Sequence, residues 1–249
     1  MVTTSEVRVE AQFEELADKR PFWSVAGEFA RKQPLGTFGM AIVVIMIFAS
    51  AFATILSPYD PEANAFEHML TPPNLQFLLG TDQFGRDILT RIIYGARTAL
   101  FVGFTAAFIG ATVGLVLGVA SAFFGGRFDL IFQRIMDVLM AFPLIILALA
   151  VVSIFGTGIQ NVIIAITIPF IPRCARVVRS QALAIREIPY IDAARANGFS
   201  NARIIMRHMV PNVMAPFLIM LTAFVGQAIL LEASLSYLGL GVQEPIPAW

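Results

Sequence analysis

The residues best suited to bind another molecule form one polar segment, residues 190–212, between two long apolar stretches. The chemistry they offer is non-covalent docking. Ile191–Ala196 favours helix, Gly198 can adopt the left-handed conformation that ends a helix, and Ser200 can cap the next one. Pro211 marks the following break or helix start. The second helix would turn inward an apolar side made of Ile204, Ile205 and Val210. This pattern predicts a helix–turn–helix that docks on a soluble partner. The alternative is a short amphipathic loop helix without such a partner.

Residues for covalent or metal chemistry do not occur in a recognisable spacing. The two lysines, Lys19 and Lys32, do not follow a Gly-x-x-x-x-Gly, so the sequence contains no phosphate-binding P-loop. It also lacks a His-Glu-x-x-His, paired aspartates within an apolar run and a Ser/His pair at that depth. We therefore expect no enzymatic activity, cofactor or metal site, which disfavours an intramembrane enzyme. The single cysteine, Cys174, excludes an internal disulfide, and its apolar surroundings indicate an inert thiol.

The composition indicates an all-α integral membrane protein. Of the 249 residues, 57% are hydrophobic and 14% are charged, and the mean hydropathy is +0.77. Soluble domains carry about 25% charged residues. The net charge of zero gives no support to nucleic-acid binding. Five apolar runs are long enough for a hydrocarbon core of about 30 Å. We predict spans at residues 35–56, 98–124, 137–155, 159–178 and 213–231.

Prolines are predicted to interrupt or bend two of these spans, and the first span could also be part of a cleavable signal peptide. Phe142-Pro143 interrupts the span at 137–155 early, and Pro169 and Pro172 are predicted to bend the next one. Ala49-Ser50-Ala51 offers the small residues of a signal-peptide cleavage site. However, the leader is too long, and its apolar run exceeds the usual ~7–15 residues. We therefore predict that the first span stays in place as a signal anchor.

A stripe of small residues lies within the second span: Ala106, Gly110, Gly114 and Gly118 recur every four residues and share one helix face. Small residues let another helix approach closely in lipid. The stripe is therefore predicted to be a helix-packing surface. It belongs either to a subunit interface or pore wall, or to packing within this subunit.

A row of arginines begins in the last turns of the fourth span: Arg173, Arg176 and Arg179 at three-residue spacing, with Arg186 beyond them. An arginine at mid-bilayer costs roughly 2.5–3.5 kcal/mol on insertion scales. We therefore expect these residues to mark the exit of the helix into water or headgroups. They either set topology and bind lipid or contact a partner.

The distribution of basic residues predicts the orientation. With a cytoplasmic amino terminus, the outer segments hold Arg86, Arg91 and Arg97. The inner segments then hold Lys19, Arg20, Arg31, Lys32, Arg127, Arg134, Arg173, Arg176, Arg179, Arg186, Arg195, Arg203 and Arg207. The bias predicts a multi-pass protein whose amino terminus and residues 190–212 are cytoplasmic, with Leu79–Asp87 outside.

The polar segment resembles the EAA loop of ABC-importer permeases, which runs Glu-Ala-Ala, three residues, Gly, nine residues, Ile, any residue, Leu-Pro. Asp192-Ala193-Ala194, Gly198 and Pro211 match this spacing. The sequence departs from the motif at three places, with Asp192 for Glu, His208 for Ile and Val210 for Leu.

Three further segments resemble one family in the same order along the chain. They are Leu79–Asp87, reading LGTDQFGRD; Met140-Ala141-Phe142-Pro143; and Glu232–Gly241, reading EASLSYLGLG. Together with the polar segment, they make the sequence similar to the second permease subunit of dipeptide, oligopeptide and nickel ABC importers. The resemblance covers about residues 35–249.

The resemblance implies a type I ABC-importer transmembrane fold with six spans, so a sixth span should follow the five counted here and lie beyond Trp249. It implies a homologous permease partner, two ATP-binding subunits inside and a substrate-binding protein outside a bacterial or archaeal inner membrane. Residues 1–34 would be cytoplasmic, residues 35–96 would hold the first helix and an outer extension, and residues 97–249 would form the transport core.

The resemblance also implies a mechanism, in which ATPase subunits bind and hydrolyse ATP and push on the polar segment. The tilting of the attached spans would then give alternating access. The coupling residues would be Asp192, Ala193, Ala194, Arg195, Gly198, Ser200 and Pro211. The cargo stays open among peptides, nickel chelates, glutathione-like and opine-like solutes.

A secondary, ion-coupled transporter is the main alternative function. Such transporters usually carry carboxylates within the membrane. The polar residues in the middles of the predicted spans are only Ser, Thr and Gln227. Glu232 is expected at a span end. The sequence therefore favours an ATP-driven importer.

Overall fold

The computed structural model describes residues 22–57 and 59–249, and the chain divides into two compact units, Met1–Phe48 and Ala49–Trp249. In the first unit α1 spans Phe22–Lys32, and α2, Pro34–Ala51, begins there and ends in the second. α2 carries no charged side chain and is apolar enough to cross a membrane, as predicted for the first span. Most of the predicted cytoplasmic segment, residues 1–21, lies outside the described residues.

The second unit is helical, as the sequence predicts, with one isolated bridge between Thr81 and Asp87 in its described residues. A 3₁₀ turn covers Phe66–His68, and a π-helical turn covers Ile205–Met209. The helices are α3 (Ala53–Leu56), α4 (Ile88–Phe124), α5 (Gly126–Met140), α6 (Leu144–Phe155), α7 (Ile159–Arg186), α8 (Pro189–Ala196), α9 (Asn201–Ile204), α10 (Val210–Asn212) and α11 (Met214–Tyr237).

Four helices in the described part of the chain are long and apolar enough to cross a membrane, namely α2, α4, α7 and α11. α4 begins at Ile88, ten residues before the predicted second span, so the helix extends beyond that span. Asp87 caps this helix, and its carboxylate accepts a hydrogen bond of 2.8 Å from the Thr90 N–H. Arg91 and Arg97 therefore lie in the first turns of α4, and the boundary predicted at residue 97 falls inside a helix.

The span predicted at residues 137–155 is broken at the Phe142-Pro143 interruption. Two helices, α5 and α6, meet there at 91°, and together they count as a fifth candidate span. Pro143 occupies the N-cap position of α6, and it has no N–H to continue a helical ladder. α5 begins at Gly126 and carries charged side chains, whereas α6 carries none.

The stripe of small residues on α4 packs against α7 of the same chain. All four positions are buried. A Cβ atom added at Gly114 would lie 2.6 Å from the Cys174 Cβ and 2.9 Å from the Ile171 carbonyl oxygen. One added at Gly118 would lie 2.6 Å from the Ala175 carbonyl oxygen. The two helix backbones thus approach one another closely, and the stripe serves packing within this subunit, the second of the two alternatives.

The arginines of α7 have partners within the chain, which the prediction of a simple membrane exit did not include. α7 extends beyond residue 178 to Arg186, and α5 supplies the carboxylates. The Arg179 guanidinium forms two hydrogen bonds with Asp129, of 2.5 and 2.6 Å, and Arg176 pairs with Asp137. Arg173 donates to Gln227 of α11 at 3.2 Å, and Arg186 donates to the Ala122 carbonyl at 2.7 Å. These bonds join α5, α7, α11 and the end of α4.

Candidate coupling loop

The polar segment forms a short helical hairpin whose first helix, α8, has one buried side. Pro189 is its first residue, which suits proline because the first turn needs no intrahelical N–H. Ile191 is fully buried and Ala194 nearly so, and both belong to the main apolar core. Asp192, Ala193 and Arg195 lie on the exposed side. The hairpin is therefore anchored on one side and open on the other.

The turn after α8 has the geometry that the sequence predicts. Gly198 adopts φ +75°, and its N–H donates to the Arg195 carbonyl at 2.9 Å. The Phe199 N–H reaches back to the Ala194 carbonyl at 3.1 Å, which completes a Schellman motif. An added Cβ at Gly198 would meet no atom within 4 Å, so the space above the turn is open.

The second half of the hairpin begins at a capped helix, also as predicted. The Ser200 hydroxyl accepts a hydrogen bond of 3.4 Å from the Arg203 N–H. α9 then widens into the π-helical turn and continues as α10, which contains Pro211. π-Helical turns are rare in proteins, and those that occur often lie at functional sites. Ile204 is fully buried, and Ile205 and Val210 pack against the core beside it, as expected for the apolar side.

An aromatic cluster around His208 holds the two halves together. The His208 ring lies 5.8 Å from that of Tyr190 and stacks on that of Phe199 at 6.1 Å. The Asn212 side-chain amide donates to the His208 carbonyl at 2.6 Å and to the Tyr190 hydroxyl at 3.2 Å. Sequence reasoning noted His208 only as a departure from a motif and missed this cluster. Its signal was the placement of aromatic residues on both sides of the Gly198 turn.

The exposed face of the hairpin contains six of the seven predicted coupling residues: Asp192, Ala193, Arg195, Gly198, Ser200 and Pro211. The seventh, Ala194, faces the core. Asp192 and Arg195 form an exposed ion pair of 3.0 Å, which contributes little to stability. Phe199 and Met206 add apolar surface that was not predicted, and Met206 is 67% exposed. Small, polar and apolar groups in this arrangement suit contact with another protein.

The buried side of the hairpin connects directly to the membrane helices. Met209 and Val213 are fully buried in the core that α4 and α7 share, and α11 begins at Met214. The Arg195 guanidinium lies 5.7 Å from the ring of Phe123, near the end of α4. A force on the exposed face would therefore reach α4, α7 and α11 through packed side chains.

The chain belongs to the family of inner membrane components of binding-protein-dependent transport systems, whose profile matches residues 110–249. Residues 22–73 match the N-terminal transmembrane domain of oligopeptide transport permease C. The fold and these matches define a multi-pass inner-membrane permease subunit of an ABC importer, of the peptide and nickel group that the motifs indicate.

Individual relatives agree with this family. The chain is 40% identical over 227 residues to the dipeptide transport system permease protein DppC of Alkalihalophilus pseudofirmus, covering 91% of this chain and 75% of that protein. It is 41% identical over 221 residues to the glutathione transport system permease protein GsiD of Escherichia coli, covering 88% and 73%. A solved inward-facing structure of the MetNI methionine ABC transporter matches with a TM-score of 0.54 and 23% identity, over 62% of this chain and 77% of that one. This last likeness shows the shared fold.

Membership of the family decides against a secondary transporter. α11 continues beyond Glu232 to Tyr237, and the Glu232 side chain is fully buried within the subunit. Its Oε1 accepts a hydrogen bond of 2.8 Å from the Ser236 hydroxyl. The polar residues after Leu231 made this continuation of the helix difficult to predict from the sequence.

Proposed function

We propose that this permease transports short peptides. Transport would be powered by ATP hydrolysis on separate subunits, which bind the exposed face of the 190–212 hairpin. The observation that carries the proposal is the hairpin itself, with one face buried in the core of α4, α7 and α11 and the other open around Gly198. The names of the dipeptide and glutathione relatives support a peptide cargo.

The proposed assembly contains a homologous permease, two ATP-binding subunits on the cytoplasmic side and a substrate-binding protein outside. This chain would bind no cofactor itself. α4, α7 and α11 would tilt together when the ATPase subunits change conformation, because the hairpin packs against the core that they form. Each state of the bundle would be favoured by a different state of the ATPase pair.

Reconstitution of the complete importer tests this function. In proteoliposomes containing all five components, uptake of labelled di- and tripeptides should require ATP and the binding protein. An imposed proton or sodium gradient should not replace ATP. Uptake driven by such a gradient without the ATPase subunits would contradict the proposal.

The proposed orientation has its own test. In a Cys174→Ser background, Gln83→Cys should react with an impermeant thiol reagent added outside intact cells. Asn201→Cys should react only after the inner face is opened. Both positions are exposed, so accessibility depends on the side of the membrane. The reverse pattern would refute the cytoplasmic placement of the hairpin.

A further inference from the structure

Two sequence motifs that are far apart in the chain meet on the side opposite the hairpin. In the first, residues 79–87, the Asp82 carboxylate accepts hydrogen bonds from the Phe84 and Arg86 N–H groups at 2.8 and 3.0 Å. It also accepts one of 2.7 Å from the Arg86 Nε. Gly85 adopts φ +76°, and an added Cβ would lie 1.8 Å from the Ala65 carbonyl oxygen. The motif therefore forms a tight turn that fixes the direction of the Arg86 side chain.

The second motif, residues 232–241, folds the chain back at the end of α11. The Ser236 hydroxyl donates to Glu232 and accepts a hydrogen bond of 3.2 Å from the Val242 N–H. Gly239 adopts φ +75°, and an added Cβ at Gly241 would lie 2.0 Å from the Ser236 Oγ. Only glycine fits at residue 241, so the segment after α11 is held in one direction.

An ion pair joins the first motif to the segment directly after the second. Arg86 is only 4% exposed, and its two terminal nitrogens lie 3.2 and 3.4 Å from the carboxylate oxygens of Glu244. Burial alone would lower the pKa of Arg86, but hydrogen bonds to Glu244 and Asp82 raise it above its ordinary value. Burial would raise the pKa of Asp82, and the bonds from Arg86 and Phe84 lower it. The contact between Arg86 and Asp82 therefore favours the charged forms of these two side chains.

Two neighbouring contacts reinforce this junction. Arg91 in the first turn of α4 donates to the Pro245 carbonyl at 3.2 Å. The Trp249 indole N–H donates to the Ile92 carbonyl at 2.9 Å. An added Cβ at Gly95 would lie 2.5 Å from the Trp249 Cδ1, so the indole rests directly on the α4 backbone. We name residues 79–95 and 232–249, joined in this way, the outer clasp.

We infer that Arg86 and Glu244 are positioning residues that keep the outer clasp closed throughout transport. The start of α4 and the end of α11 then move as one rigid body. Motion of the hairpin enters α11 at its other end, and the closed clasp converts it into a joint tilt of both helices. This inference rests on the proposed function, because it concerns the motion that the ATPase subunits would drive.

Charge reversal at the exposed partner tests the positioning role without disturbing the Asp82 turn. Glu244→Arg places two cations together and should lower the maximal uptake rate by about tenfold, a typical size for a coupling residue. The KM for peptide-loaded binding protein and the membrane abundance should stay unchanged. Glu67→Arg, which makes the same change of charge at an exposed residue outside the clasp, is the matched control and should transport normally. Equal loss of rate in both variants would overturn the role of the pair.

A disulfide across the clasp tests whether it stays closed. In a Cys174→Ser background, Gly95→Cys with Trp249→Cys places two thiols across the clasp, because an added Cβ at Gly95 would lie 3.5 Å from the carbonyl carbon of Ala248, the residue before Trp249. We expect these thiols to form a disulfide. The oxidised protein should transport like its reduced form, and the disulfide should restore uptake in the Glu244→Arg variant. Uptake that stops on oxidation and returns on reduction would show instead that the clasp opens. Failure of the disulfide to form would contradict the contact itself. Absence of ATP-dependent uptake in the unmodified chain would refute the proposed function rather than the clasp.

Discussion

Gly198→Asp should abolish peptide uptake while the protein reaches the membrane at a near-normal level. Gly198 adopts φ +75°, where a side chain costs roughly 1–2 kcal/mol, and aspartate is among the residues that tolerate this region best. No atom of the subunit lies within 4 Å of the added Cβ, so the fold itself accepts the side chain. The surface of an ATPase subunit packed against the turn would collide with the aspartate side chain. The loss should therefore fall on association with the ATPase subunits.

Three measurements on one Gly198→Asp sample check this result: membrane abundance, co-purification of the ATPase subunits and uptake. Gly198→Ala is the graded comparison, since alanine has at least as large a backbone cost at this φ but little bulk and no charge. It should retain more ATPase binding than Gly198→Asp. Normal ATPase binding and normal uptake in Gly198→Asp would mean that the hairpin is only a connector.

Gly114→Leu should remove most of the folded protein from the membrane. The added Cβ would lie 2.6 Å from the Cys174 Cβ, 2.9 Å from the Ile171 carbonyl oxygen and 3.0 Å from the Ala175 nitrogen. Two of these atoms are backbone, so no side-chain rotation relieves the overlap. Overpacking by one or a few methylene groups typically costs about 1–3 kcal/mol. We expect Gly114→Leu to cost more, because its side chain would push the backbones of α4 and α7 apart. Total stabilities of about 5–15 kcal/mol leave little margin.

Gly226→Leu is the matched control for this effect. Gly226 lies within α11, and an added Cβ there meets no atom within 4 Å. Leucine also favours helix over glycine by roughly 1 kcal/mol. The Gly226→Leu protein should reach wild-type abundance in detergent extracts and resist heating as well as wild type. Equal abundance of the two variants would contradict close packing of the small-residue stripe against α7.

Local features of the hairpin could be predicted because each depends on residues close in sequence. The positive φ of Gly198, the cap at Ser200 and the inward side at Ile204 follow from turn and capping chemistry within a few residues. The cap at Asp87 follows the same rules, but two arginines after it obscured the start of α4. In α5 the charged face concealed a helix that the hydropathy pattern alone does not reveal.

Features that depend on distant residues could not be predicted in the same way. The arginines of α7 looked like a membrane exit because their partners, Asp129 and Asp137, precede them by a whole helical hairpin. Arg86 and Glu244 are 158 residues apart, so both motifs were visible but their contact was not. The small-residue stripe predicted that another helix packs against α4, but only the folded structure shows that this helix is α7.

The most direct test of the central claim is photo-cross-linking from the exposed face of the hairpin in the assembled importer. A benzophenone attached to Ala193→Cys in a Cys174→Ser background should capture an ATPase subunit, because Ala193 is exposed beside Gly198. The same probe at Leu130→Cys, on the exposed side of α5, is the control and should not capture it. Adding Gly198→Asp should abolish the product at residue 193. An active importer in which the probe at residue 193 captures no ATPase subunit would contradict the assignment of this hairpin as the coupling site.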